Sequence, residues 1–297
     1  MTDAVNDIMN DAGDNAARNK VVVITGGSDG IGFVSAEVMA AKGAHVILVG
    51  QNRDKCAETV ATIKNATGNP AVSFEVADLS TLSEVRDLAA RLLESQATID
   101  VLMNNAGGFF RERQQTEDGL EYTFALNHMA YFVLTDLLLA RLKQAEQGRI
   151  INVASRVHQN GKVNFDDLQG RANYAGWPAY CQSKLMNVMF TYALARRLGG
   201  TAVTANSLHP GFVASKFGHN NKGMVGLGMR VAQALMAISP QSGAKTQVHL
   251  ATDPALVATT GGYFVKSRAV DSSAASLDVE VQERLWMVSE ELAASIP

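Results

Sequence analysis

The chain has 297 residues, of which 47% are hydrophobic and 19% charged, and its formal net charge is −3. This composition excludes wholesale disorder, because the chain carries enough apolar side chains for a large core. Since no basic block occurs and the net charge is slightly negative, neither nucleic acid nor an anionic membrane surface is an expected partner. The two cysteines, Cys56 and Cys181, fit a reducing, cytoplasmic setting without structural disulfides.

Residues 1–19 are acidic and polar, the reverse of the pattern of a signal peptide, and we expect a disordered tail there. No stretch approaches ~18 uninterrupted apolar residues, so the sequence predicts no transmembrane anchor. The longest candidate, residues 130–142, is interrupted by Asp136 and is predicted to be a buried helix. Residues 20–297 contain no repeat or linker, and we expect them to form one domain.

Short strands rich in Val and Ile alternate with longer helices from Lys20 onward. The predicted strands cover residues 20–25, 44–50, 71–76, 99–104, 148–155, 201–208 and 261–265. The predicted helices cover residues 31–43, 53–66, 81–96, 118–142, 178–200, 243–252 and 279–295. Near-continuous apolar strands separated by helices indicate a parallel sheet covered on both faces. The sequence therefore predicts an α/β fold with a single Rossmann-type, doubly wound parallel sheet and helices on both faces.

Three glycines, Gly26, Gly30 and Gly32, lie in the segment TGGSDGIG (25–32) between the first strand and the first helix. Glycine lets the backbone turn tightly and approach a pyrophosphate, whose charge is favoured at a helix N-terminus. A glycine pattern alone is weak evidence, but its strand–loop–helix context favours nucleotide binding over a plain tight turn.

Tyr180 precedes Lys184 by four residues in a predicted helix, so the two side chains share a face. An ammonium group within a few ångströms favours the phenolate of a group that otherwise titrates near pH ~10. That would bring a proton donor and acceptor towards working pH, as general acid–base chemistry requires. For these two residues alone, a surface pair without function is the alternative.

The spacing T-G-x-x-x-G-x-G resembles the signature of the short-chain dehydrogenases/reductases, and the resemblance continues along the chain. NNAG (104–107) closes the fourth strand, Asn127 lies on the long helix, Ser155 ends the fifth strand, and HPG (209–211) follows the sixth. Within this family, several segments resemble the retinol-dehydrogenase-like branch. They are AYCQSKLMNVMFTYALARRL (179–198), FDDLQG (165–170), SPQSGAKT (239–246) and RLWMVSEEL (284–292).

The resemblance implies an NAD(P)-dependent oxidoreductase that transfers a hydride between a nicotinamide and the carbon of an alcohol/carbonyl pair. It implies that Tyr180 exchanges the proton with the substrate oxygen, while Lys184 holds the nicotinamide ribose and favours the phenolate. Ser155 would hydrogen-bond the substrate oxygen, and Asn127 would fix the helix and a water that relays protons. Donors aimed at an oxygen that gains negative charge stabilise the transition state selectively.

The same resemblance implies that residues 20–297 form a dinucleotide-binding catalytic domain. The residues that it assigns to the cofactor are Gly26, Ser28, Asp29, Gly30, Ile31, Gly32, Gln51, Asn52, Arg53, Asp78, Leu79, Asn105, Ala106, Gly107, Tyr180, Lys184, Pro210 and Gly211. Asp78 is expected at the adenine, and Pro210 and Gly211 are expected beside the nicotinamide.

The end of the second strand, VGQNRD, departs from the pattern of the branch. An acidic residue there would bind the ribose 2′-hydroxyl of NAD and repel the extra phosphate of NADP. Relatives in the branch usually carry arginine at the position of Gln51, where it would clasp that phosphate. Arg53 could substitute, although a surface arginine that opens a helix is the alternative. Since no acid excludes the phosphate, we favour NADP(H) and keep NAD(H) as the alternative.

Residues 209–242 are rich in Gly, Met and Phe and lie beyond a strand end, so we expect a substrate loop or lid there. An apolar pocket for the substrate is predicted from Phe109, Phe110, Trp177 and Phe212. The expected substrate is a bulky, mostly apolar alcohol, ketone or aldehyde. The alternative for these four side chains is ordinary packing in the core. The histidines lack metal-ligand spacing, so no metal is expected.

Two other functions are weighed against the oxidoreductase. One is a non-catalytic NAD(P)-sensing regulatory protein on the same fold, which intact Ser155, Tyr180 and Lys184 disfavour. The other is a transferase with a different nucleotide-like cofactor, which the glycine spacing and NNAG disfavour. Retinoids themselves are doubtful substrates, because many enzymes of the branch are membrane-anchored and no anchor is expected here. By analogy with relatives, helices 118–142 and 178–199 could pair in a homo-oligomer.

Overall fold

The computed structural model describes residues 17–212 and 238–296. Most of the predicted tail (1–19) and most of the predicted substrate loop (209–242) lie outside the described residues. Within the described ranges, eight strands form one sheet in the order β3-β2-β1-β4-β5-β6-β7-β8. The strands are β1 (Val21–Thr25), β2 (His45–Gly50), β3 (Val72–Val76), β4 (Val101–Asn104), β5 (Arg149–Val153), β6 (Thr204–His209), β7 (Tyr263–Val265) and β8 (Arg268–Ala269).

Every neighbouring pair of strands is parallel except β7 and β8, which are antiparallel. The strand order reverses between β1 and β4, and ligands of such sheets bind at the carboxyl ends of the strands beside that point. The prediction of a doubly wound parallel sheet is confirmed. Strand β8 was not predicted, because it is only two residues long and no apolar run marks it.

The main helices are α1 (Gly30–Ala41), α2 (Arg53–Thr67), α3 (Leu82–Ser95), α4 (Tyr122–Gln144), α5 (Gly176–Arg197), α6 (Pro240–Thr252) and α7 (Val279–Ser295). Several helices begin at residues whose side chains accept a backbone N–H bond, as is usual for N-caps. Asp29 starts α1, Asn52 starts α2 and Asp278 starts α7 in this way. Helix α2 ends at Gly68, whose φ of 70° is the left-handed conformation that favours glycine.

Alternate residues of each strand face opposite layers of the core, as the pleat requires. In β1, Val23 packs into the cluster that contains residues of α3, α4 and α5. Its neighbours Val22 and Ile24 pack into the cluster on the other face, with residues of α1, α2 and α6. Both faces of the sheet are therefore covered by helices.

Among the described helices, α4 is long and apolar enough to cross a membrane, but 72% of its apolar window is buried inside the protein. It packs as the core helix that the sequence predicts, in contact with α3. Its second turn, Ala125–Met129, is a π-helix, which the sequence did not indicate.

Candidate active site

The residues predicted to bind a cofactor lie at the carboxyl ends of parallel strands or on α5. Strand β1 is followed by Gly26, Ser28, Asp29, Gly30, Ile31 and Gly32, and β2 is followed by Gln51, Asn52 and Arg53. Strand β3 is followed by Asp78 and Leu79, β4 by Asn105, Ala106 and Gly107, and β6 by Pro210 and Gly211. Tyr180 and Lys184 lie in the first half of α5. One edge of the sheet therefore collects all of these residues.

Three positions of the loop after β1, Gly26, Gly30 and Gly32, disfavour a side chain because of a clash or a left-handed backbone. A Cβ on Gly32 would lie 2.3 Å from the carbonyl oxygen of Gly26, and Gly26 and Gly30 have φ values of 65° and 53°. The Asp29 carboxylate accepts a hydrogen bond of 2.8 Å from the Gly30 amide at the start of α1. A backbone that comes this close to the helix N-terminus fits the pyrophosphate of a dinucleotide.

The NNAG segment is tied to the glycine loop through Thr25. The Thr25 hydroxyl accepts hydrogen bonds from the backbone amides of Asn105 and Ala106, at 2.8 and 3.0 Å. The Asn105 side chain donates to the Thr25 carbonyl oxygen at 2.8 Å. These bonds fix the ends of β1 and β4, the two strands that flank the reversal of strand order, relative to each other.

Asn127 lies in the π-helical turn of α4 and is fully buried. Its side-chain amide donates to the Gly108 carbonyl oxygen at 2.9 Å and to the Ser183 hydroxyl at 3.0 Å, and its oxygen accepts from the Gly108 amide. A Cβ on Gly107 would lie 3.0 Å from Asn127 Oδ1 and 3.4 Å from Lys184 Nζ. Asn127 thus joins α4 to α5 and to Gly108, which directly follows the NNAG segment. Turns of π-helix often occur at functional sites.

Tyr180 is buried, and its hydroxyl forms a hydrogen bond with the Ser155 side chain. The Lys184 ammonium donates to the Val153 carbonyl oxygen at 2.9 Å and lies 5.9 Å from the centre of the Tyr180 ring. Helix α5 therefore places both side chains at the carboxyl end of β5, where Tyr180 contacts Ser155 and Lys184 contacts Val153.

Burial sets the protonation of both groups. It raises the pKa of Tyr180 above its usual value, although the Ser155 hydrogen bond acts in the opposite direction. Burial also lowers the pKa of Lys184 to about 7. Desolvation is the largest cause of the raised pKa of Tyr180. That Lys184 favours the phenolate stays a prediction.

His158 holds the backbone of Ser155 through a hydrogen bond, a role that the sequence did not indicate. Its Nδ1 lies 2.7 Å from the Ser155 carbonyl oxygen, and its Nε2 accepts a bond of 3.0 Å from the Ser273 amide. Since an amide must donate and a carbonyl must accept, the proton is on Nδ1. Burial lowers the pKa of His158, which keeps the ring in this neutral form.

The ribose end of the cleft is more exposed. The Gln51 side-chain amide donates to the Asp78 carboxylate at 2.7 Å. The Asn52 side chain is engaged as the N-cap of α2, and the Arg53 guanidinium lies 6.0 Å from the centre of the Phe74 ring. Lys55, which sequence reasoning missed, forms an ion pair of 2.5 Å with Asp29 of the glycine loop.

Two of the four residues predicted to line an apolar pocket, Phe109 and Trp177, lie next to Tyr180, and the pocket itself stays a prediction. The Phe109 ring lies 5.9 Å from that of Tyr180 and 6.3 Å from that of Trp177, which is 52% exposed. Phe110 lies elsewhere, because its ring packs against Tyr122 at 4.6 Å. Leu79, predicted at the cofactor, is buried among core side chains.

Phe212 is exposed at the edge of the described residues, where its carbonyl oxygen accepts a bond of 2.7 Å from the Ile238 amide. Gly211 has a φ of 96°, and a Cβ there would lie 2.4 Å from the Ile238 side chain. The two described sides of the 209–242 segment therefore meet beside the end of β6.

A backbone cradle for a pyrophosphate at the reversal of strand order, next to a buried phenol, defines a dinucleotide-binding α/β protein. Comparison with known proteins agrees. A family model described as short chain dehydrogenase matches residues 20–226. Human retinol dehydrogenase 13 is 37% identical over 279 residues, which cover 92% of this chain and 84% of that protein. Human polyprenol dehydrogenase is 35% identical over 280 residues, covering 92% and 85%.

A solved structure of a protein from Mycobacterium paratuberculosis has a TM-score of 0.77 and 29% identity, and the match covers 96% of both chains. This chain belongs to the short-chain dehydrogenase family, in its retinol-dehydrogenase-like branch. It is accordingly an NAD(P)-dependent oxidoreductase.

Proposed function

We propose that this oxidoreductase interconverts an alcohol and a carbonyl compound on a bulky, mostly apolar small molecule, with Tyr180 as the general acid/base. The observation that carries the proposal is the hydrogen bond between Tyr180 and Ser155, beside which the rings of Phe109 and Trp177 lie 5.9 and 6.1 Å from the Tyr180 ring. Relatives named after retinol and polyprenol, two long apolar alcohols, support the substrate class.

The nicotinamide, when bound, supplies or accepts the hydride. Tyr180 donates its proton to the substrate oxygen as that oxygen gains negative charge during reduction, and Ser155 hydrogen-bonds the same oxygen. Burial raises the pKa of Tyr180, so the phenol holds the proton that reduction of a carbonyl requires. Lys184, with a pKa of about 7, can return a proton towards Tyr180 after each turnover.

The residues around the glycine loop suit a dinucleotide. Gly26, Gly30 and Gly32 would approach its pyrophosphate, and Gly107 would lie under it beside Asn127. Asp78 would meet the adenine, Lys184 would hold the nicotinamide ribose, and Pro210 with Gly211 would flank the nicotinamide ring.

NADP(H) is the favoured cofactor. No acidic side chain occupies positions 50–52, where a carboxylate would repel the 2′-phosphate. Two cations, Arg53 and Lys55, follow in the first turn of α2 with Asp54 between them, and Lys55 is held at the glycine loop by Asp29. A phosphate placed between these side chains would form charge-assisted hydrogen bonds.

The reaction is tested with purified protein, NADPH and two aldehydes of different polarity, farnesal and glyceraldehyde. We expect NADPH oxidation with farnesal, and a value of kcat/KM at least about tenfold lower for glyceraldehyde, because its polar skeleton gains little from apolar contacts. NADPH binding without oxidation by any apolar aldehyde or ketone would instead favour the non-catalytic NAD(P)-sensing protein.

We further propose a single catalytic domain over residues 20–297, a cytoplasmic location and no membrane anchor. One sheet runs through the described ranges, the two cysteines are free and buried, and α4 is enclosed by the protein. Fractionation of cells that express the full chain tests the location. Mass photometry tests the homo-oligomer that pairing of α4 and α5 would form.

A further inference from the structure

A cavity of about 620 Å³ opens beside the carboxyl ends of β5 and β7, and the chemistry proposed above does not use it. Its polar lining consists of Arg156, Gln159, Tyr263, Lys266, Arg268 and Asp271. Three cationic side chains face one carboxylate, so the lining carries a net positive charge. Its volume suits a small ligand or one end of a longer one.

The three cations are not used elsewhere in the part of the chain that the structure describes. Arg156, Lys266 and Arg268 form no ion pair or side-chain hydrogen bond within residues 17–212 and 238–296. By contrast, Arg196 and Arg197 on α5 are paired with Glu283. Three cations around one cavity repel each other, and an anion between them would remove that repulsion.

Tyr263 is a second, independent sign of a ligand. The residue is 3% exposed and lines the cavity, yet its hydroxyl has no hydrogen-bond partner among residues 17–212 and 238–296. Burial raises the pKa of this phenol, so the group is a donor that lacks an acceptor. The ring is held edge-on by His158, 4.8 Å away. Buried polar groups are nearly always satisfied, and a carboxylate or phosphate oxygen is the acceptor that the surrounding cations would admit.

The turn between β7 and β8 places two of the cations. Lys266 and Ser267 both have left-handed φ values, 51° and 59°, in a hairpin where Asn and Gly are the usual residues. The Ser267 amide donates to the Thr246 hydroxyl at 3.0 Å, and Val265 pairs with Arg268 across the hairpin. An unfavourable backbone held in place by its surroundings is typical of functional sites.

The cavity is linked to the proposed catalytic group through the residues that follow β5. Arg156 directly follows Ser155, and His158 contacts both the Ser155 carbonyl oxygen and the Tyr263 ring. We propose that the cavity binds an anionic group, a carboxylate or phosphate, at the far end of the substrate's apolar skeleton. This inference rests on the proposed function and narrows its substrate class to amphiphilic aldehydes, ketones or alcohols.

The test compares 12-oxododecanoate with its methyl ester, which share the aldehyde and the chain and differ in the charge. With NADPH as reductant and below micelle formation, we expect a KM about tenfold lower for the acid, with similar kcat values. The difference should narrow as salt is added, because the cations are exposed. The double variant K266Q/R268Q and the single variant Tyr263→Phe should each reduce the acid preference while retaining reduction of the ester. Lys143→Gln, an exposed cation on α4, is the matched control that leaves the preference unchanged.

A second measurement separates the two proposals. Calorimetric titration of the NADPH-saturated protein with dodecanoate and with methyl dodecanoate reports binding without turnover, and we expect the acid to bind more tightly. If both aldehydes are reduced with equal KM, or if the ester alone binds, the anion site is wrong while the oxidoreductase stands. If dodecanoate binds preferentially but neither aldehyde is reduced, the anion site stands and the proposed reaction is wrong. Absence of binding and of reduction for all four compounds would overturn both.

Discussion

At one end of the proposed cofactor cleft Tyr180 and Lys184 are buried, whereas at the other end Gln51 and Arg53 lie on the surface. The buried end is held by hydrogen bonds that join several elements, such as those from Asn127 to Gly108, which follows β4, and to Ser183 of α5. The exposed end is held by contacts between long side chains, such as Gln51 with Asp78 and Lys55 with Asp29, and exposed side chains can change partners. The groups proposed for proton transfer are therefore held rigidly, whereas the choice of cofactor depends on a few exposed charged side chains that can change partners.

The two ends also differ in how charge is controlled. At the buried end, desolvation raises the pKa of Tyr180 and lowers that of Lys184, so neither group keeps its solution behaviour. At the exposed end, Lys55 is about one third exposed and its charge is balanced by Asp29. A charge in that position can be redirected to a bound phosphate at little cost, since exposed ion pairs are weak.

The largest expected effect at the exposed end is on NADPH affinity. Lys55→Gln should weaken NADPH binding about tenfold and leave NADH binding within about twofold, because only NADPH carries the 2′-phosphate. The measurement is a fluorescence titration of each cofactor with wild type and variant. Lys64→Gln, a change of the same type on α2, is the control.

Equal losses for both cofactors would mean that Lys55 stabilises the glycine loop through Asp29 rather than reading the phosphate. If Lys55→Gln binds both cofactors as tightly as wild type and Arg53→Gln binds NADPH more weakly, the residue that contacts the 2′-phosphate is Arg53. Tighter NADH than NADPH binding in the wild type would overturn the preference for NADP(H).

A smaller effect is expected at the buried end, in the pH dependence of stability. The pKa of Lys184 is about 7 in the folded protein and near ~10.4 in an unfolded chain, so the unfolded chain binds more protons between these values. The free energy of unfolding should therefore gain up to ~1.4 kcal/mol per pH unit from this group between pH about 7.5 and 9.5. Lys184→Met should remove that gain, as measured by urea unfolding across the range. Identical slopes for wild type and variant would show that Lys184 is charged in the folded protein.

The fold was predictable because its signals are local. Continuous Val and Ile runs such as 20–25 become strands covered on both faces, and helix starts such as Asn52 are marked by capping residues. Strand ends were less predictable, as residues 201–208 became Thr204–His209. The π-helical turn at Ala125–Met129 had no signal, because it depends on tertiary contacts of Asn127.

In the site, the residues that carry the family resemblance lie on the elements that the sequence predicts. Which side chains contact each other was not predicted correctly. Phe109 and Phe110 are adjacent in sequence, yet only Phe109 contacts Tyr180. His158 and Lys55 were missed since their partners, Ser273 and Asp29, are 115 and 26 residues away in the sequence. A periodic pattern does not encode which of two neighbouring side chains meets a distant partner.

The central claim, proton transfer by Tyr180, is tested most directly by Tyr180→Phe in two measurements on the same preparation. We expect NADPH binding to stay within about threefold of wild type, because the glycine loop and Lys184 that would hold the rest of the dinucleotide are unchanged, and kcat for farnesal reduction to fall at least ~100-fold. Wild-type turnover by the variant, with NADPH bound normally, would contradict the account.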